Sequence, residues 1–234
     1  MKSVQILFLC FLSMLPFAAQ ALMTANNDLD DIASLQRGAQ YYSQYCLACH
    51  SMEYQRYRTL AQDMQISKET MRSTIIVDPQ VHWTEPMQSV LSKDDMKMWF
   101  GVAAPDLTLA ANQHSTDWLY TFLHQFYRDE KRPLGANNLL APNIMMPNVL
   151  EGLQGSQSAM LEPDGLMTLT PTNKGMLSQA EYDQLVRDLV NYLAYTAEPK
   201  QQVRRQLGFW VIGFLSVFTI LSLLLKKEYW RDVH

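Results

Sequence analysis

Nineteen consecutive residues near the C-terminus, "LGFWVIGFLSVFTILSLLL" from Leu207 to Leu225, carry no charge. As a helix they span about 28 Å, close to the hydrocarbon thickness of a bilayer. A helix in a globular core keeps a polar stripe toward solvent, and five turns that are apolar on every side have none. Arg204 and Arg205 bracket the run on one side, Lys226 and Lys227 on the other. The pattern predicts a transmembrane helix, so whatever else the chain folds into is tethered to a membrane.

A second apolar run, Val4 to Phe17, follows Lys2 and gives way to small residues. Ala19-Gln20-Ala21 has the A-x-A form of a signal-peptidase site, and cleavage before Leu22 is expected. Lys200, Arg204 and Arg205 precede the C-terminal span and Lys226, Lys227 and Arg231 follow it, three against three. The positive-inside rule therefore does not orient the helix. The signal segment does. Residues 1–21 are expected as a signal peptide, 22–203 as an exported domain in the periplasm, 204–225 as the anchor and 226–234 as a cytoplasmic tail. The chain is then expected to cross the membrane once, with its bulk outside the cytoplasmic membrane.

The composition, 48% hydrophobic over 234 residues, suits one packed domain plus these segments and excludes a disordered chain. Residues 22–203 hold 13 Lys and Arg against 21 Asp and Glu, a net −8. An acidic exported domain can steer a basic soluble partner; the same charge also serves solubility. No nucleic-acid partner is expected.

Within the exported domain, an acidic start at Asp30 or Asp31 predicts a first helix running to Cys46, with Gly38 marking a close approach to another element. Eight prolines between residues 79 and 171 limit the middle of the chain to short helices. One is expected in "SKDDMKMWFG", with Ser92 as N-cap and Gly101 near its end. Another is expected from Ser115 to Asp129, with Trp118, Leu119, Phe122, Leu123 and Phe126 on one face. The stretch from Gly152 to Gly175, rich in Thr, Gly and Leu, reads as a loop or small hairpin. A capping box from Ser178 to Glu181 opens a last helix that stops before Pro199, with Tyr182, Leu185, Val186, Leu189 and Leu193 on one stripe.

The chemistry lies in "CLACH". Cys10 leaves with the signal segment, so Cys46 and Cys49 are the thiols of the mature chain. A redox dithiol would need a βαβ setting, which is missing, and a zinc site would need further ligands, whereas His82, His114 and His124 are scattered. C-x-x-C-H with export fits a c-type haem: two thioethers from Cys46 and Cys49, and His50 on the iron. One motif implies one haem. The sixth iron position is either filled by a protein ligand, giving an electron carrier, or left open, giving a haem enzyme. In "APNIMMPNVL", Met146 stands before Pro147 on a stiff loop and is the favoured ligand, with Met145 as its rival; if both are core filler, the usual role of methionine, the iron is bound otherwise.

Four stretches carry a resemblance: "RGAQYYSQYCLACHSMEYQRYR", "APDLTLAANQHSTDWLYTFLHQFYRD", "RPLGANNLLAPNIMMPNVLEGLQG" and the tail ending "KKEYWRDVH". In this order, over nearly the whole mature chain, they resemble cytochrome c1, the haem subunit of the quinol–cytochrome c oxidoreductase (cytochrome bc1 complex). The resemblance implies a mostly α, cytochrome c-like haem domain with extended loops plus one C-terminal transmembrane helix. It implies one covalent haem c on Cys46 and Cys49, with His50 and Met146 as axial ligands, the latter matching the family's Met-Pro. Partners implied are cytochrome b, a Rieske iron–sulfur protein as electron donor and a soluble or tethered cytochrome c as acceptor. The alternative is a membrane-tethered monohaem cytochrome c serving another oxidase or reductase. The chain departs from the family where an arginine is expected near a haem propionate: Asn112 and His114 occupy that region, and His114 is the candidate to replace it. It also has Asn148 and Glu151 in the stretch after the Met-Pro.

Overall fold

Asp31 starts the first helix for a local reason: its carboxylate accepts from the Ser34 backbone N–H at 2.9 Å, closing one of the donors a helix start leaves open. Helix α1 spans Ile32–Tyr45 and ends where the Cys46 N–H reaches the Tyr42 carbonyl. The structure, a computed structural model, describes residues 21–76, 78–163 and 165–232. Apart from Ala21, the expected signal segment and Cys10 lie outside the described residues.

After α1 the chain makes β1 (Met52–Arg56), α2 (Tyr57–Asp63), α3 (Lys68–Thr74), β2 (Pro86–Met87) and α4 (Lys93–Phe100). Then come α5 (Ala110–Gln113), α6 (Thr116–His124), β3 (Phe126–Arg128), β4 (Ala136–Asn138) and α7 (Glu151–Gln154). The chain closes with β5 (Gly155–Leu161), β6 (Met167–Lys174), α8 (Gln179–Ala197) and α9 (Gln201–Tyr229). The strands form three separate antiparallel pairs, β1–β2, β3–β4 and β5–β6. The architecture is a mostly helical domain with extended connections, followed by one long apolar helix.

The expected caps are in place. Ser92 caps α4 and Gly101 ends it in the left-handed conformation, φ +80°. Ser178 and Glu181 form both halves of the capping box on α8. The segment read as a loop or hairpin is the β5–β6 hairpin. The helix expected from Ser115 to Asp129 is shorter: it ends at His124, and Phe126–Arg128 pairs instead with Ala136–Asn138. The reason is tertiary. Asn138 Nδ2 donates to the Phe122 carbonyl at 2.8 Å, and Gln154 and Gln157 side chains donate to that of His124. Those partners satisfy the last carbonyls from outside, so the helix has no need of another turn.

The core is organised by α1 crossing α8. Leu35, Ala39 and Tyr42 from α1 meet Leu189, Tyr192 and Leu193 of α8, all buried. Each large side chain so removed from water contributes about 1.5–3 kcal/mol. The crossing is also pinned by charge. Asp188, 1% exposed, accepts from Arg37 Nε at 2.6 Å and Nη2 at 2.9 Å, from Ser34 Oγ at 2.7 Å and from Gln184 Nε2 at 2.9 Å. The Asp188 carboxylate in turn holds the Arg37 guanidinium above its ordinary range. Truncating Asp188 to alanine strands these donors. Because the Arg37 side chain is 42% exposed and can regain water, the expected loss is about 3 kcal/mol, the low end for a broken buried pair. A clear drop in melting temperature of the purified holoprotein checks this, and an unchanged melt would show the network to be idle.

Helix α9 holds the charge-free run within its 29 residues, and none of its residues is buried against the rest of the chain. It is the one helix among the described residues long and apolar enough to cross a membrane.

Candidate functional site

The end of α1 delivers the first thiol. Beyond Tyr45 the chain keeps turning: Cys49 N–H and His50 N–H both reach the Cys46 carbonyl, at 3.1 and 2.8 Å. That tight turn gathers Cys46, Cys49 and His50 on one wall of a cavity of ≈ 320 Å³, within the range of small-molecule and cofactor sites. Backbone bonds from Val90 to Leu47 and from Leu91 to Ala48 fasten the turn from behind. The buried Tyr42 hydroxyl donates to the His50 carbonyl at 2.5 Å, and burial keeps that phenol well above its usual range, hence protonated.

Both thiols are free. Burial pushes the Cys46 thiol up to about 12, with the neighbouring Cys49 adding to the rise, and burial also raises Cys49. A redox dithiol needs the opposite shift, toward thiolate. The pair is thus held neutral and unactivated at physiological pH.

His50 has a defined tautomer. Its Nδ1 lies 2.8 Å from the Pro105 carbonyl, which can only accept, so Nδ1 carries the hydrogen and Nε2 is left bare as an acceptor. Burial lowers the imidazole's affinity for a second proton, with the Pro105 bond and Asp106 acting against it. Asp106 locks this wall in turn, accepting from Glu53 N–H at 2.8 Å and Thr108 N–H at 2.9 Å. A neutral imidazole whose far nitrogen is fixed by a backbone carbonyl is the arrangement of a metal-ligating histidine.

The other walls are apolar. From the end of α5 and from α6 come His114, Trp118 and Phe122, stacked in sequence with ring centroids 4.1 and 5.0 Å apart. Leu189 and Leu193 of α8, and Met96 and Phe100 of α4, also face the cavity. The loop of residues 139–147 supplies Ile144, Met145, Met146 and Pro147. The four residues singled out in the sequence, Cys46, Cys49, His50 and Met146, therefore border one space, although Met146 lies almost a hundred residues from the motif.

Asn112 and His114 part company. His114 borders the cavity. Asn112 turns away and donates to the Ala197 carbonyl at the end of α8. His82 binds Thr84 locally, and His124 is buried between Tyr120 and Asp183. Pro105, Tyr42 and the Trp118–Phe122 face were not legible as site residues. The proline beside an aspartate in "APDL" was a signal of a rigid wall, but nothing in its spacing pointed to His50.

The donor set fits a haem of the c type: two neutral thiols three residues apart, an imidazole with a bare Nε2, an apolar enclosure with aromatic faces, and a thioether. Comparison with known proteins agrees. A model of the Cytochrome C1 family matches residues 24–233. The chain is 46% identical to the cytochrome c1 of Allochromatium vinosum, over 91% of this chain and 90% of that one. It is 40% identical to a protein of Nitrosomonas europaea named ammonia monooxygenase gamma subunit, over the whole of both chains. The cytochrome c1 of Rhodospirillum rubrum is 26% identical, over 87% of this chain and 83% of that one.

Proposed function

The chain belongs to the cytochrome c1 family, and from that premise we propose that it carries one covalent haem c and passes electrons from a Rieske iron–sulfur protein to a cytochrome c. Family membership makes it a haem-bearing, membrane-anchored electron-transport protein of the cytochrome bc1 complex. The proposal extends this to the residues. Cys46 and Cys49 form the thioethers, His50 is one axial ligand and Met146 the other. The observation that carries it is that these four side chains border the same cavity.

Bound there, the haem supplies a reversible one-electron couple at its iron. The chain's residues hold and tune it. The Pro105 carbonyl keeps the proton of His50 on Nδ1 and leaves Nε2 bare. Histidine and methionine ligands would raise the reduction potential of such a group, and the apolar walls from α4, α6 and α8 would exclude water from the site. His114, stacked on Trp118 and bordering the cavity, shares with Asn112 the region where the family resemblance places an arginine, and it is our candidate to meet a haem propionate.

The domain arrangement follows the same reading: residues 22–203 in the periplasm, the anchor at 204–225 within α9, and the tail 226–234 in the cytoplasm of a bacterial cell, after removal of residues 1–21. Cytochrome b and the Rieske protein are the expected partners in one complex. The net charge of −8 on residues 22–203 favours a basic cytochrome c as acceptor.

The full-length match to a chain named for ammonia monooxygenase supports one second reading, a tethered monohaem carrier that serves another oxidase or reductase. Gentle detergent extraction of the tagged protein from its native membrane separates the two. Recovery with a cytochrome b and a Rieske protein supports the bc1 assignment, and recovery with monooxygenase or oxidase subunits refutes it. The ligand assignment has its own check. Met146→Ala is expected to abolish the near-infrared sulfur-to-iron charge-transfer band of the oxidised protein, and a band that survives unchanged would rule Met146 out.

A further inference from the structure

Met145 and Met146 both border the cavity, and as free thioethers they are equivalent ligands. Their surroundings are not equivalent. Met145 Sδ accepts from Arg132 Nη2 at 3.4 Å. No hydrogen bond reaches the Met146 sulfur among the described residues. The same guanidinium grips the loop two residues upstream, with Nη2 donating to the Asn143 carbonyl at 2.8 Å and Nη1 to Asn143 Oδ1 at 3.2 Å.

Asn143 needs that grip. Its φ of +66° is left-handed, a conformation that costs energy in a residue with a side chain unless its surroundings impose it. The Asn143 N–H is held by Asn137 Oδ1 at 2.8 Å, and Asn137 Nδ2 is held by Asp129 Oδ2 at 2.9 Å. Arg132 itself is anchored by its backbone N–H on the Asp129 carbonyl. The turn between β3 and β4 and the methionine loop are thus one polar assembly, and Met145 is attached to it through sulfur. Met145 Cε also lies 3.6 Å from where a Cβ on Gly101 would sit, at the end of α4.

We propose that Arg132 is a positioning residue that selects the iron's thioether: by occupying Met145 Sδ and holding Asn143 in its left-handed turn, it leaves Met146 as the sulfur presented to the haem. A sulfur engaged by a charged donor has less lone-pair density to offer a metal, and a fixed loop cannot slip by one residue to exchange the two. The inference rests on the assignment of Met146 as axial ligand, and it accounts for how a Met-Met pair can give a single coordination state.

The test uses the full-length protein in membranes or detergent, oxidised, read by the near-infrared charge-transfer band and by low-temperature electron paramagnetic resonance. Wild type is expected to show one low-spin species. Arg132→Leu is expected to show two, one for each methionine, and Arg132→Leu with Met145→Leu is expected to return to one. A single unchanged species in Arg132→Leu overturns the proposal. So does a mixture that persists in the double variant, because the loop would then be distorted without any competition from Met145. Should Arg132→Leu fail to accumulate, Arg132→Lys, which keeps the charge but cannot reach Asn143 and Met145 together, reads the same outcomes. Failure of the underlying assignment looks different: Met146→Ala would keep the band and Met145→Leu alone would lose it.

Discussion

Replacing Gly38 with valine is expected to leave no haem-loaded protein in the membrane fraction. A Cβ built on Gly38 would lie 2.1 Å from the Asp188 carbonyl oxygen and 2.7 Å from Tyr192 Cβ. Neither atom is the free end of a flexible side chain, so neither can step aside without moving α8. Parting the helices uncovers the apolar contacts of Leu35, Ala39 and Tyr42 and stretches the hydrogen bonds that Asp188 receives from Ser34 and Arg37. Overpacking alone costs about 1–3 kcal/mol, and weakening the Asp188–Arg37 pair, whose guanidinium is 42% exposed, adds up to about 3 kcal/mol. Together they reach the lower end of the roughly 5–15 kcal/mol that holds a typical domain folded. Alanine, with one carbon, should give a lesser loss and valine a complete one. Haem staining beside an immunoblot of the same membranes decides it, and wild-type haem in the valine variant would mean that the crossing is looser than its geometry.

The same variant bears on function because α1 leads directly into the haem motif. Cys46 is its C-cap, so any rotation of α1 on α8 carries the first thiol away from the wall that Cys49 and His50 share.

Cys46→Ala combined with Cys49→Ala is expected to remove all haem that survives denaturation, an effect complete rather than graded. Under the proposed attachment, each thiol S–H would add across a haem vinyl group, with sulfur going to one carbon and hydrogen to the other. Both thiols are held neutral by burial and stand on one tight turn with His50, bonded to the Cys46 carbonyl. Either single variant keeps one attachment point, so its denatured chain is expected to hold less haem, with a pyridine haemochrome band shifted by the unsaturated vinyl. Haem that stays on the denatured double variant would falsify the covalent assignment.

Much of this fold is legible from short-range chemistry. Asp31, Ser92, Ser115 and Ser178 each accept from a backbone N–H three residues on, and that relation is written within four residues of sequence. The stripe on α8, from Tyr182 to Leu193, is buried as its spacing predicts. Helix α6 ends five residues before its apolar spacing predicts, because the partners that stop it, Asn138, Gln154 and Gln157, lie 16, 30 and 33 residues away from their acceptors.

The haem site divides along the same line. Sequence by itself determined the anchor, from an apolar run that only lipid could surround, and the haem motif, because two thiols and an imidazole within five residues must share a turn. It also pointed to two adjacent methionines as candidates for a distant ligand. Only the tertiary structure decided that the Pro105 carbonyl orients His50, that Asn112 faces α8 while His114 faces the cavity, and that Arg132 engages Met145 and not Met146. Local geometry follows from the covalent chain, where spacing dictates contact. A hydrogen bond between residues 55 or 85 positions apart depends on how whole helices pack, and no short spacing records it.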